Sequence, residues 1–337
     1  MQRAQCLAIV HASAKFMYKQ VLPKGKFVYR RDLTGAPIPG KYNMLRHCGA
    51  IWSLALYEQF LGKKASSKSV VAACEYARER IVRCVFGEEK TPVLLILDKG
   101  EAKLGGNALA LLAYSLVKPV QTEAITGLTA GLGCFNDKDT GAIRFSKFNP
   151  QTGYVSDFVS EYYPGEAALA YATVGDIERA YKLIVQLKLQ RDKDSVLQDH
   201  WLLQAIELVD KHLPADDVAA RGFLKDYARL IFDEIVANPY YLERSTPLAC
   251  RAEALVAYLG MLGRDAVYRQ EEHFLEVRDF CHFLLLELKK HQQTKGMLAG
   301  AFIEGKGTRI DYTQHAMTAY LRYVQLKDEL RSKHVVL

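Results

Sequence analysis

The stretch "KYNMLRHCGAIWSLALYEQF", residues 41–60, decides the fold. Its pattern is helical, and its small and apolar residues run round nearly the whole helix. A helix that is apolar on all sides is a buried one. Yet its opening turn carries Tyr42, Asn43, Arg46 and His47, none of which a helix built only for packing requires.

Working outward, the same kind of segment recurs at 106–117, 165–174, 200–209, 247–262 and 312–324. Between these buried helices lies a second kind, each with a charged face, at 2–20, 67–85, 118–132, 176–193, 220–238 and 271–291. The two kinds alternate strictly, and helical periodicity dominates throughout. Six buried helices alternating with six half-exposed ones predict an all-α (α/α)6 toroid, the buried set inside and the amphipathic set around it. No polar linker divides the chain, so one domain over residues 1–337 is expected. The weak β-signal sits in "KFVYRRDLTGAPIPGKY", "PVLLILDKGEAKLGG", "GAIRFSKFNPQTGYV" and "GMLAGAFIEGKGTRIDY". These alternate aromatic and β-branched residues around Gly, Asn and Asp turns, as short hairpins do. Each precedes an inner helix, which gathers them at one end of the barrel.

The inner helices open with "YNMLRH", "LGGNAL", "EYYPGEA", "QDHWLL", "RSTPLACRAE" and "RIDYTQHA". Pro164 and Pro247 suit a first helical turn, where a missing N–H costs nothing. Asp199, Ser245 or Thr246, and Asp311 are available as N-caps. Caps do not account for His47, Glu166, His200, Trp201, Arg251 and His315. Polar and aromatic side chains at one end of six inner helices converge on a funnel, a shape suited to a small ligand.

Composition narrows the partners. A net charge of +7, from 45 basic and 38 acidic residues, is mild for 337 residues. Lys and Arg are spread along the chain, so no nucleic-acid stripe is expected. No run approaches the ~18 apolar residues of a membrane span, and the N-terminus lacks a signal-peptide core. With seven cysteines and no CxxC pair, a reducing, cytoplasmic setting is expected; a trimmed export signal or a larger parent protein is the alternative. Oligomeric state is not legible.

On "GKFVYRRDLTG", "YNMLRHCGAIWSLALYE", "EYYPGEAALAYATVGD" and "DHWLLQAIELVD" the chain resembles the six-hairpin glycosidase-like group of (α/α)6 enzymes. That group includes glycoside hydrolases, unsaturated-uronyl hydrolases, sugar epimerases and polysaccharide lyases. The resemblance implies a carbohydrate substrate, bound by acidic, His and aromatic residues on the inner-helix ends. Related toroids of the lanthionine-cyclase and prenyltransferase kind hold zinc with Cys and His. Here Cys48, Cys250 and three histidines are the candidates near the funnel, and neither a metal nor another cofactor is expected.

Glycosidic cleavage usually uses two carboxylates. Glu166, Asp199, Glu253 and Asp311 lie in or just after inner-helix first turns, with Glu166 and Asp199 the leading pair. The alternative for Asp199 and Asp311 is a helix cap, where an anion also gains from the helix dipole. His47, His200 and His315 are candidates for proton transfer at neutral pH. Asp311 and His315, spaced i, i+4, share a helix face. Arg46 and Arg251 suit bidentate recognition of an acidic sugar; the alternative for them is an ion pair with Glu166 or Glu253. Asn43 is a further candidate sugar contact, and Tyr42, Tyr162, Tyr163, Trp201 and Tyr312 suit stacking on sugar faces, though part of that set is core. The expectation is a carbohydrate-active enzyme, hydrolase first, with catalytic residues Glu166, Asp199, His47 and Asp311. The alternatives are a uronate or sugar epimerase, a polysaccharide lyase, or a non-catalytic sugar- or peptide-binding toroid. Arg46, His47, Glu166, Asp199, His200 and Asp311 are expected to face one cavity.

Overall fold

The computed structural model describes residues 1–40, 42–86, 91–191, 196–333, 335 and 337. Lys41 of the opening stretch and residues 192–193, assigned above to an outer helix, lie outside them. In chain order the elements begin with α1 (Arg3–Gln20), β1 (Arg30–Asp32), α2 (Met44–Phe60) and α3 (Lys68–Arg78). They continue with β2 (Ile81–Phe86), β3 (Thr91–Asp98), β4 (Glu101–Lys103), α4 (Leu104–Leu116), α5 (Thr122–Gly133) and β5 (Lys147–Phe148). Then come α6 (Tyr163–Thr173), α7 (Ile177–Gln190), α8 (His200–His212), α9 (Val218–Ala237) and α10 (Ser245–Arg264). The last are α11 (Glu272–Lys289), β6 (Gly307–Arg309) and α12 (Ile310–Ser332). Twelve α-helices among the described residues match the twelve expected, most ends within two or three residues. No helix among them is long and apolar enough to cross a membrane.

The chain divides into two compact units, residues 21–27 with 41–195, and residues 1–20 and 28–40 with 196–337. In the first, α2 packs on α4 and α4 on α6, while α3, α5 and α7 lie against them. Burial separates the two kinds of helix. Every residue of α4 from Leu104 to Tyr114 is buried, whereas α7 buries only Ala180, Leu183, Ile184 and Leu187. That i, i+3, i+4, i+7 stripe is the signature of a helix covering a core from one side. Each Leu that α4 sinks into this core contributes about 1.5–3 kcal/mol.

The second unit repeats the plan. α8 packs on α10 and α10 on α12, with α9, α11 and α1 outside. Inner helix α10 is buried at nearly every position from Leu248 to Gly263. Outer helix α11 buries one stripe, Phe274, Val277, Cys281, Leu284, Leu285 and Leu288.

The strands depart from the sequence reading in two places. The outer helix expected over 67–85 ends at Arg78, and Ile81–Phe86 forms β2, antiparallel to β3 with Ile81 opposite Ile96 and Phe86 opposite Thr91. The β-branched "IV" and the alternating exposure of Arg83 and Val85 follow a period of two, and pairing with β3 overrides the helical start. β3 turns into β4 through Lys99 (φ 58°) and Gly100 (φ 80°), the positive-φ pair of a tight hairpin, and β5 joins beyond β4. β1 and β6, each expected in a local hairpin, pair instead with one another, Arg30 opposite Arg309. Three-residue strands gain little alone; across the 28–40 and 296–309 loops they satisfy each other's backbone.

Candidate active site

In the unit containing α2, α4 and α6, Asn43 caps α2 by accepting a hydrogen bond from the Arg46 N–H at 3.3 Å. His47, one turn in, is fully buried. The Phe27 N–H donates to Tyr42 Oη at 2.9 Å, so the phenol's own proton goes to His47 Nδ1, 2.7 Å away. His47 Nε2–H then donates to the Ala73 carbonyl at 2.9 Å. Burial first, with Arg80 adding to it, pulls His47 down to about 4 against the bond to Ala73. Both ring nitrogens are therefore engaged, and Tyr42 and His47 tie the entry of α2 to Phe27, at the end of the Val21–Phe27 segment, and to α3.

Glu166 and Tyr163 open α6, with Pro164 between them. Their side chains lie hard against the backbone of α4: a Cβ on Gly105 would stand 2.0 Å from Glu166 Oε2 and 2.4 Å from Tyr163 Cδ1. This is the close approach that the Gly pair of "LGGNAL" permits. Burial, reinforced by Glu166 and opposed by Arg46, pushes the Tyr163 phenol up to about 12. Arg46, Tyr163 and Glu166 thus share one environment in this unit; Tyr162, half-buried, is the N-cap residue of α6.

In the other unit, Asp199 caps α8, its Oδ1 accepting from the backbone N–H groups of Trp201 and Leu202 at 3.1 Å each. Asp311 is not a cap. It lies within the first turn of α12, held by Arg309 through Nε–Oδ1 at 2.5 Å and Nη2–Oδ2 at 2.7 Å. Arg309 also lies over the Tyr312 ring, 4.6 Å from its centroid. Neither Ser245 nor Thr246 caps α10. Both are inside the helix, and the Thr246 N–H donates to Glu304 Oε2 at 3.0 Å, a carboxylate brought from the loop before β6. Arg251 donates to Gln198 Oε1 at 2.7 Å and to Tyr240 Oη at 2.6 Å.

The remaining residues of this unit form one cluster. His200, at the start of α8, and His315, in the second turn of α12, stand with ring centroids 5.1 Å apart, edge to face. Trp201 lies 4.8 Å from the first ring and 5.6 Å from the second. Glu253, from the third turn of α10, places Oε2 at 2.8 Å from His315 Nδ1 and 3.7 Å from His200 Nε2. Burial drives His200 well below the ordinary imidazole value, helped by His315 and Arg251. On His315 burial works downward too, but Cys250 and Glu253 outweigh it and hold the ring well above that value. Burial raises Glu253 against the pull of His315. The two rings are thereby distinguished, one neutral and one sharing a proton with a buried carboxylate.

His200, Cys250, Glu253 and His315 each bring one ligand atom within 4.8 Å of the other three. The sequence offers Glu253 as one of four funnel carboxylates or an arginine's ion-pair partner and Cys250 as a candidate zinc ligand, but neither is among the expected site residues. Their signal is the i, i+3 spacing on "CRAE", which puts a thiol and a carboxylate on one face of an inner helix. As chemistry, such a cluster can take a proton from carbon, return one, or hold a cation.

The sequence matches no protein-family profile and no curated protein. In structure the chain is similar to a D-mannose isomerase, with a TM-score of 0.63 and 14% identity over 96% of this chain and 98% of that one. It is similar also to cellobiose 2-epimerase from Bacillus thermoamylovorans B4167, with a TM-score of 0.62 and 13% identity over 94% and 99% of the two chains. An unsaturated glucuronyl hydrolase specific for heparin matches with a TM-score of 0.62 and 12% identity over 97% and 99%. What these likenesses share is the fold: alternating inner and outer helices, with few short strands, are the (α/α)6 toroid arrangement.

Proposed function

We propose that this protein is a sugar isomerase or epimerase, moving the proton on the carbon beside the carbonyl of an aldose, ketose or reducing-end sugar. The observation that carries the reading is the imidazole pair. His200 and His315 lie 5.1 Å apart on two inner helices, with Glu253 bonded to one of them. Abstraction beside a carbonyl needs a base for the carbon-bound proton and an acid for the carbonyl oxygen. His200 takes the proton from C2, and the C–H electron pair forms the C1–C2 double bond as His315 protonates O1. The product is an enediol. Returning a proton to C2 on the opposite face, with loss of the O1 proton, gives the epimer; returning it to C1, with loss of the O2 proton, gives the ketose. Trp201 offers its face to the sugar's apolar side.

Glycoside hydrolysis is the second reading, and the engagement of the carboxylates weighs against it in this unit. Asp199 is bonded to two backbone N–H groups, Asp311 to both arms of Arg309, and Glu253 to His315. The likeness in fold to a D-mannose isomerase and a cellobiose 2-epimerase supports a sugar substrate.

The test is incubation with a panel of aldoses, ketoses and reducing disaccharides in D2O, followed by proton NMR. Deuterium entry at C2 with formation of the epimer or ketose is expected. His200→Asn and His315→Asn should each lower that rate by about 10²–10⁴, the usual contribution of a general acid or base. Cleavage of glycosides without C2 exchange, lost on Glu166→Gln and retained in His200→Asn, would establish hydrolysis instead.

A further inference from the structure

We infer that His200, Cys250, Glu253 and His315 form a binding site for a zinc-like divalent cation. The donor set is two imidazoles, one thiol and one carboxylate, all buried. These are the ligand types of tetrahedral zinc, whose bonds of about 2.0–2.3 Å put neighbouring ligand atoms roughly 3.3–3.8 Å apart. Here the four atoms already lie within 4.8 Å of one another. Closing the remaining distance takes side-chain torsions, because the donors come from helices packed directly together, α8 on α10 and α10 on α12.

A second observation points to a ligand. Glu253 is fully buried, its Oε2 is bonded to His315, and its Oε1 has no hydrogen-bond partner among the described residues. A carboxylate oxygen buried without a donor is costly. A cation beside it removes that cost. With Cys250 as thiolate and Glu253 ionised, the protein supplies two negative charges against the two positive charges of the metal. Exchange of protons for metal at sulfur and imidazole makes binding weaken as pH falls.

This site is made from the residues of the proposed sugar chemistry, but metal binding is read without turnover. Where both hold, zinc silences the enzyme, since it occupies the ring nitrogens that would carry the proton.

The experiment is a cobalt(II) titration of the chelator-treated full chain by absorption spectroscopy, followed by zinc displacement. One equivalent should give the intense visible bands of tetrahedral cobalt and a near-ultraviolet thiolate charge-transfer band, both abolished by zinc. Cys250→Ser should lose the charge-transfer band, and Glu253→Gln should weaken binding at least about tenfold. Helical circular dichroism checks that each variant is folded. As a measurement on the unaltered chain, zinc should protect Cys250 from alkylation. Absence of tetrahedral bands, a charge-transfer band that survives Cys250→Ser, or unchanged alkylation with zinc overturns the inference. Cobalt bands, with no sugar turnover by the metal-free chain, would reject the sugar reading alone; turnover by the metal-free chain without cobalt bands on titration would reject the metal site alone.

Discussion

Both ring nitrogens of His47 are used inside the protein, and this makes a histidine an acid-sensitive part of the frame. Its ring stays neutral down to about 4, while in the unfolded chain it takes up a proton near the ordinary value of about 6.5. Between those values the unfolded state binds more protons, so stability falls as pH is lowered through the window and levels off below it. The full effect is about 3 kcal/mol. His47→Gln keeps an acceptor for Tyr42 and a donor for Ala73 but has no proton to gain. It should be less stable at pH 7.5 and lose less on going to pH 4.5, measured by urea denaturation at each pH. Parallel pH profiles for the two proteins would show that His47 is not the titrating group. A second residue-scale contrast lies in Glu253 and Asp199. Both are buried carboxylates on or beside inner helices, yet Glu253, in the third turn of α10, holds a side chain of another helix and Asp199, the cap of α8, holds its own backbone.

At the scale of elements, two helical glycines behave in opposite ways. Gly105 opens α4 where Glu166 and Tyr163 press on it, while Gly222 sits in α9 with nothing within 4 Å of an added Cβ. Ala at 105 must displace a buried carboxylate and a ring, so Gly105→Ala should cost about 1–3 kcal/mol. Gly222→Ala meets open space and restricts the unfolded chain, so it should gain about 0.5–1 kcal/mol. Denaturant midpoints of the two variants against the parent decide both. Equal shifts would mean that α4 and α6 are less closely apposed than described. β2 makes the complementary point. A local "ARERIVRCV" reads as helix with a charged face, and only the presence of β3 opposite it selects the strand.

At the scale of the molecule, each compact unit carries three inner helices, and in the unit of α8, α10 and α12 an ionic network crosses between them. Glu207 on α8 accepts from Arg264 on α10 at 2.6 Å and from Arg322 on α12 at 2.8 Å; Arg264 also donates to Glu329 at 2.8 Å. Burial works against the Arg264 charge, but Glu207 and Glu329 hold it above its ordinary value. Removing Glu207 leaves Arg264 with Glu329 but Arg322 with no carboxylate from this network. Glu207→Ala should therefore destabilise by about 2–3 kcal/mol. Equilibrium denaturation checks this, and a loss under about 1 kcal/mol would place the network among weak surface pairs.

The alternation of buried and amphipathic helices, and with it the toroid, was legible in the sequence because helical periodicity records locally which face meets solvent. The Asp199 cap was legible for the same reason, since a cap acts within three residues of itself, whereas Asn43, expected as a sugar contact, caps α2. The roles of the charged and polar first-turn residues were not. Glu253 bonds His315 across 62 positions of chain, β1 pairs with β6, and Glu304 reaches the start of α10 from a distant loop. Asp311 and His47 look alike in sequence to Glu253 and His200, each a titratable group near an inner-helix start. Tertiary structure separates them, because a buried titratable side chain takes its role from the partner it meets: Asp311 is held by nearby Arg309 and His47 by Tyr42 and Ala73, while packing brings Glu253 and His200 together with His315 from another helix.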